Sequence, residues 1–412
     1  MPERAFWNPM TNMGAFRDRG ITIVRGEGST VWDEAGNALI DVSGALWYCN
    51  VGYGREELAA AAADQMRGLA SFKTYDGFTS PRSEELAARV ASIVPLEDAK
   101  VFFTSGGGES IDTAAKLARA YWAAVGKPDK HVVVSRQFAY HGSNAYGTSL
   151  GGMAALTDVY GRLVPDVEQV AWDDAEALAE AIDRVGDERV AAFFAEPIIG
   201  AGGVMIPPDG YLERVQEICR EREVLLVLDE VITGFGRTGE WFATGRFGLS
   251  PDLITVAKGI TSGYIPLGGV IVSRRVAEPF WTAGTQHMFR HGYTYAGHAT
   301  ACAVGLANLD VIEREGLVQR VRELEPVLAD TLAPLADHPA VADVRTGVGL
   351  LAAVELADPS KLQAVVDEAY RRGVLVRGIR GVALQVSPPF VITEDEIATT
   401  ARVFGEALDE AA

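Results

Sequence analysis

The chain has 412 residues, 48% hydrophobic and 23% charged, a balance that excludes a disordered or fibrous protein and leaves ample material for a large core. With 37 Lys and Arg against 56 Asp and Glu, the net charge of −19 argues against nucleic-acid backbone binding as the main task. The odd, sparse set Cys49, Cys219 and Cys302 is no disulfide framework, the opening MPERAFWNPM has no apolar signal core, and no 18-residue apolar run occurs, so a cytoplasmic protein with no membrane span is expected.

Residues 1–20 read as an arm. Residues 21–42 read as short strands, with a turn at Glu34-Ala35-Gly36-Asn37. Residues 55–68 and 83–93 have helical patterning. Short apolar runs then predict strands at Lys100–Thr104, His131–Ser135, Val190–Ala195, Val224–Leu228, Leu253–Val256 and Gly269–Val272. Amphipathic stretches such as Ile111–Val125 and Tyr211–Arg222 lie between them. This alternation predicts an α/β fold with a largely parallel, helix-covered sheet. A helix over Ala299–Arg314 leads into a smaller α+β C-terminal part, closed by a helix near Glu394–Leu408.

Three segments carry chemistry. The run Lys100–Thr104 leads into Ser105-Gly106-Gly107-Gly108-Glu109-Ser110 and a helix. Backbone N–H groups at a helix start cradle phosphate, although an ordinary Gly-rich turn has the same pattern. No Lys-Ser/Thr pair follows, which excludes an NTPase P-loop. The apolar run Val224–Leu228 ends in Asp229-Glu230, where α/β sheets place ligands; Glu230 reads as a cap or a solvated loop residue. Leu253–Ala257 ends in Lys258. An amine there is either desolvated and primed as a nucleophile or snorkelling at the sheet rim.

Two motifs mislead. Gly234-Phe-Gly236-Arg-Thr-Gly239 fits a dinucleotide fingerprint, but a poor helix follows it and no acidic residue stands about twenty positions on. His287 and His291 have zinc-helix spacing without the base-bearing Glu, and Gly292 follows, so they read as structural or loop residues.

Together the segments resemble the class III pyridoxal-phosphate-dependent aminotransferases of fold type I, in particular the amine:pyruvate (ω-) transaminases. The resemblance spans essentially the whole chain. It is carried by Leu46-Trp47, Asn50–Gly54, Gly106–Glu109, Tyr140-His141-Gly142, Glu196-Pro197, the run Asp229–Gly239, Ala257-Lys258-Gly259, Gly292–His298 and Ser387-Pro388-Pro389.

The resemblance implies a large domain with a mostly parallel seven-stranded sheet over residues 46–306. It also implies a small α+β domain over 307–412, with an N-terminal arm and strands, 1–45, associated with it. Lys258 would carry pyridoxal 5'-phosphate as a Schiff base and then shuttle the substrate proton. Asp229 would pair with the pyridine nitrogen. Val231 and Tyr140 would flank the ring, and Gly106, Gly107 and Gly108 would offer amides to the phosphate. Glu196 would lie near the cofactor. Thr294 would reach the phosphate of a neighbouring subunit, implying a homodimer with shared sites. Trp47, Tyr75, Tyr140 and Met10 match positions that wall the substrate pocket. Arg377 falls on a mobile carboxylate-binding arginine, with Arg380 as rival. The family usually has serine at one or more positions of the phosphate loop; the three glycines here lose that hydroxyl but keep the backbone cradle.

The implied reaction moves an amino group from an amine or amino acid donor to a keto acid such as pyruvate, by a ping-pong mechanism. An aminomutase, decarboxylase or racemase on the same fold remains open, and a nicotinamide oxidoreductase is the alternative from another class.

Overall fold

In the computed structural model, which describes residues 5–282 and 286–411, the apolar runs become strands and the amphipathic stretches become helices. In chain order the strands are β1 Ile23–Glu27, β2 Thr30–Asp33, β3 Ala38–Asp41, β4 Lys100–Thr104, β5 Val132–Arg136, β6 Val167–Val170, β7 Val190–Ala195 and β8 Leu225–Asp229. They continue as β9 Leu253–Val256, β10 Gly268–Val272, β11 Val341–Arg345, β12 Ala352–Leu356, β13 Val374–Leu375, β14 Arg377–Ile379 and β15 Ala383–Val386.

The central sheet has seven strands in the order β4-β10-β9-β8-β7-β5-β6. Only β10 runs antiparallel to its neighbours; the remaining pairs are parallel. Every residue of β5, β7, β8, β9 and β10 is buried, as a sheet covered by helices on both faces requires. This is the expected fold type I sheet. The fold differs from expectation in two local ways. Strand β6, Val-Glu-Gln-Val, escaped the sequence reading because it sits at the sheet edge and three of its four residues keep contact with water. The helix after β4 begins at Gly107, not Ile111, because glycines that read as turn supply its first turn.

Two four-stranded sheets complete the chain, β1-β2-β3-β13 and β11-β12-β15-β14. Strand β3 pairs in parallel with β13, so the early strands join the C-terminal segment. Helices Ala299–Arg314, Leu317–Leu332 and Glu394–Ala411 share one buried cluster with β12 and β15, to which they contribute Leu309, Leu328 and Phe404. No helix among the described residues is long and apolar enough to cross a membrane.

Candidate active site

The parallel strands β8 and β9 end side by side, with Asp229 in register with Thr255. Asp229 is the last residue of β8 and is buried. Its Oδ2 lies 2.8 Å from Nδ1 of His141, and its Oδ1 accepts from Thr255 Oγ1 at 3.0 Å and from the Val231 amide at 3.1 Å. The carboxylate is therefore held from three sides. His141 is itself buried, edge-on to Phe194, and its Nε2 has no hydrogen-bond partner among the described residues. His141 belongs to the motif Tyr140-His141-Gly142, for which the sequence implies no role; its pairing with Asp229, 88 residues away, is visible only in three dimensions.

Lys258 follows β9 with a left-handed backbone, φ +43°. Burial pushes its amine down to about 8, against the opposing pull of Asp229 and Glu196. Such an amine is substantially neutral, hence nucleophilic, at mildly alkaline pH, so the nucleophile reading is favoured over the snorkelling one. Glu196 is fully buried, and burial raises its pKa. Its carboxylate accepts from the Tyr140 amide at 2.9 Å and the Gly200 amide at 2.8 Å, which fixes the backbone of Tyr140.

The helix Gly107–Ala124 starts without a side-chain cap at Gly106. Glu109 turns back instead to accept from the Ser105 amide at 2.7 Å. The first amides of this helix are thus left for a ligand. A side chain at Gly107 would press on Val231, with a Cβ only 3.2 Å from the valine methyl. Gly107 and Val231 therefore lie in contact, beside Ala257.

Trp47 is buried with Ile198, Ile232 and Ile379. It sits in an irregular turn where Gly44, Ala45 and Trp47 all have positive φ, costly for the last two by roughly 1–3 kcal/mol each. Asp41, fully buried, holds the turn by accepting from the Ser43 amide at 3.0 Å, Ser43 Oγ at 2.8 Å, the Ala45 amide at 2.7 Å and Tyr53 OH at 2.5 Å. Asp41 went unremarked in the sequence.

Arg377, at the start of β14, is half-buried and has no hydrogen-bond or ion-pair partner among the described residues. Its charge is felt by Lys258, and Tyr140 acts on it in turn. Arg380 is committed elsewhere, 3.6 Å from Glu355 and 4.9 Å over the ring of Phe138.

The class III aminotransferase family model matches residues 14–408. The chain belongs to the class III aminotransferases. It is 40% identical to a putrescine–pyruvate aminotransferase of Pseudomonas aeruginosa over 98% of this chain and 94% of that protein. It is 36% identical to a β-alanine–pyruvate aminotransferase of the same organism, over 98% and 96%. A crystal structure of an amine transaminase from an uncultivated Pseudomonas species, in its PLP-bound internal aldimine form, superposes with a TM-score of 0.96 at 36% identity, covering 100% of this chain and 99% of that one. An (S)-enantioselective ω-transaminase from Thermomicrobium roseum superposes at 0.94 with 39% identity, covering 98% and 96%.

The aminotransferase depends on pyridoxal phosphate and moves an amino group from an amine or amino acid to a keto acid. Its residues fit that cofactor: a glycine cradle, a buried carboxylate, and a lysine whose amine is held near neutrality converge on one end of the sheet.

Three expected site residues are exposed within a single chain. Thr294 is exposed, Tyr75 is 42% exposed and Met10 is 71% exposed. Glu230 is not a solvated residue. It is fully buried and accepts from the Ala243 and Thr244 amides and from the Thr233 and Thr244 hydroxyls. The run Gly234–Gly239 is a turn followed only by the four-residue helix Ala243–Arg246, the poor helix expected of a false dinucleotide motif. His291 lies in a loop against Thr113, 2.9 Å from its hydroxyl, and no metal-binding cluster occurs among the described residues.

Proposed function

We propose that this aminotransferase accepts an amine donor with an apolar or arylalkyl body and delivers the amino group to pyruvate or a similar small keto acid. The observation that carries the reading is Arg377, a half-buried guanidinium with no hydrogen-bond or ion-pair partner among the described residues, close enough to Lys258 and Tyr140 for their charges to interact. A guanidinium without a partner is suited to the carboxylate of a keto acid, which it binds through paired N–H bonds. The pyruvate-using relatives support the choice of acceptor.

When bound, pyridoxal phosphate supplies an electron-withdrawing ring that stabilises negative charge at the substrate α-carbon. Asp229 holds the ring nitrogen protonated, and His141 keeps the Asp229 carboxylate aimed. Gly106, Gly107 and Gly108 would offer amides to the phosphate, and Val231 and Tyr140 would flank the ring. Lys258 Nζ would hold the cofactor and, when free, would serve as the base for the substrate α-proton, a task suited to an amine poised near neutrality. Glu196 positions Tyr140 through its amide.

Replacing Arg377 by Ala should raise KM for pyruvate by about thirtyfold or more, as loss of one charged pair implies. KM for an arylalkylamine should change little. Steady-state kinetics with both substrates varied measures this. Equal losses for the two would mark Arg377 as structural, and an unchanged acceptor KM would move the role to Arg380.

The working unit is a cytoplasmic homodimer, with Thr294 serving the partner's phosphate site and Tyr75 and Met10 closing the pocket across the interface. In support, Tyr75, Phe78, Trp281 and Met288 are exposed apolar residues lining one cleft of about 1060 Å³, surface that a monomer rarely leaves open. The domain division stays as read from sequence, 1–45, 46–306 and 307–412, and the pairing of β3 with β13 supports joining the first segment to the last. Mixing Lys258→Ala with Thr294→Ala subunits tests the sharing. At a cofactor level too low to load Thr294→Ala homodimers, exchanged subunits should recover one working site per mixed dimer. If Thr294 served its own chain, neither site of the mixed dimer would be intact and no activity would return.

A further inference from the structure

The three glycines of the phosphate loop leave no hydroxyl where the family usually offers serine, and a different side chain stands in that space. A Cβ built on Gly108 would lie 2.8 Å from Oδ1 of Asn144, 3.1 Å from its Cγ and 3.6 Å from its Nδ2. The Asn144 amide thus borders the place where a serine at 108 would begin its side chain. That amide makes no hydrogen bond to any described residue, and it does not cap the short helix that follows it. It is a solvent-exposed polar group, engaged by no described residue and set against the cradle.

Its position is fixed by the loop that bears it. Gly142, with φ +95°, lets the loop backbone touch the phosphate loop: a Cβ there would sit 3.0 Å from the Gly108 Cα. Two residues beyond Asn144, the Tyr146 amide donates to Asp112 Oδ1 at 2.9 Å, tying the loop to the same helix that begins at the cradle. The neighbouring hydroxyl of Ser110 is no substitute. It is fully buried and spent on the Gly106 and Val256 carbonyls, each at 3.1 Å, and on Thr104.

We propose that Asn144 is a cofactor-phosphate ligand of this enzyme, its Nδ2 amide supplying the side-chain hydrogen bond that Gly106, Gly107 and Gly108 lack. Oδ1 and Nδ2 exchange places by rotation of the terminal amide, so either arrangement of the free protein permits donation. In this chain asparagine and glycine have exchanged tasks across the loop contact: glycine at 108 makes the room, and asparagine at 144 fills it with a donor. The inference rests on Gly106–Gly108 being the phosphate cradle, and not on the choice of amine or keto acid.

The test compares pyridoxal phosphate with pyridoxal, which lacks the phosphate, by titrating each into cofactor-free protein and following absorbance. Asn144→Ala should raise the Kd of pyridoxal phosphate about tenfold, as loss of a charge-assisted hydrogen bond implies, and leave pyridoxal unchanged. Asn144→Asp keeps the shape and brings a negative charge to the phosphate, so it should weaken binding further, again for the phosphate form alone. Adding Gly108→Ser to Asn144→Ala returns a hydroxyl to vacated space and should restore most of the affinity. The proposal is overturned if Asn144→Ala leaves the pyridoxal phosphate Kd unchanged, or weakens both compounds equally. Gly106→Asp separates this from failure of the cradle itself. A Cβ at Gly106 meets nothing within 4 Å and its φ of 172° suits any residue, so the variant should fold and reject the phosphate form. If Gly106→Asp binds both compounds normally, the cradle assignment falls first.

Discussion

Lys258→Ala should abolish transamination and, with it, the visible absorbance of covalently held cofactor. The side chain sits where the sheet delivers it, two residues after β9 and within the influence of the carboxylate that ends β8. Burial holds its amine near 8, and Asp229 and Glu196 keep it from falling further. Those opposing influences leave an amine that takes up and releases a proton close to physiological pH, as a group that must act as nucleophile and then as base requires. Alanine removes both capacities, and no neighbouring residue named in the site offers a second amine. The fold should survive, because the side chain is opposed by its own desolvation and Ala257, Gly259 and Ile260 around it stay packed. The measurement is a spectrum of purified variant with added cofactor, followed by borohydride treatment and peptide mapping. A borohydride-fixed cofactor together with normal turnover would remove Lys258 from the role.

The strand ends were legible because a buried parallel strand is written as an unbroken apolar run, and the polar residue that stops the run marks the ligand-binding edge. Asp229 and Lys258 stand out that way, and the family resemblance gives them their roles. Strand β6 was not, since an edge strand carrying Glu168 and Gln169 has no such run. The Trp47 turn was also beyond sequence reasoning. Local preference argues against left-handed Ala45 and Trp47, and only Asp41 and the approach of Ser387 to Gly44 impose it; a Cβ on Gly44 would lie 2.6 Å from the Ser387 carbonyl oxygen. His141 was hidden for a related reason. Its partner is distant in sequence, and a histidine between tyrosine and glycine has no local signal of a carboxylate. Asn144 had no signal either, because its meaning comes from the glycine it faces. Thr294, Tyr75 and Met10 came from the family resemblance alone, and one folded chain leaves them at the surface.

Asp229→Asn is expected to slow the donor half-reaction by about a hundredfold or more, the scale seen when one preorganised electrostatic contact to a developing charge is removed. Aspartate and asparagine have nearly the same shape, so packing beneath the carboxylate is retained. The bonds from Thr255 Oγ1 and the Val231 amide both reach Oδ1, which asparagine keeps as its carbonyl oxygen. The new NH₂ then faces His141 Nδ1. That nitrogen can become the acceptor if the ring proton moves to Nε2, which has no other partner to hold it. The variant should therefore fold and melt close to the parent. It loses the negative charge that, in the proposed role, would keep the cofactor nitrogen protonated while charge develops at the α-carbon. Stopped-flow absorbance with amine and no acceptor isolates this step from the keto-acid half. A near-normal rate there, with the cofactor fully loaded, would mean that the buried carboxylate serves only to order His141 and Thr255.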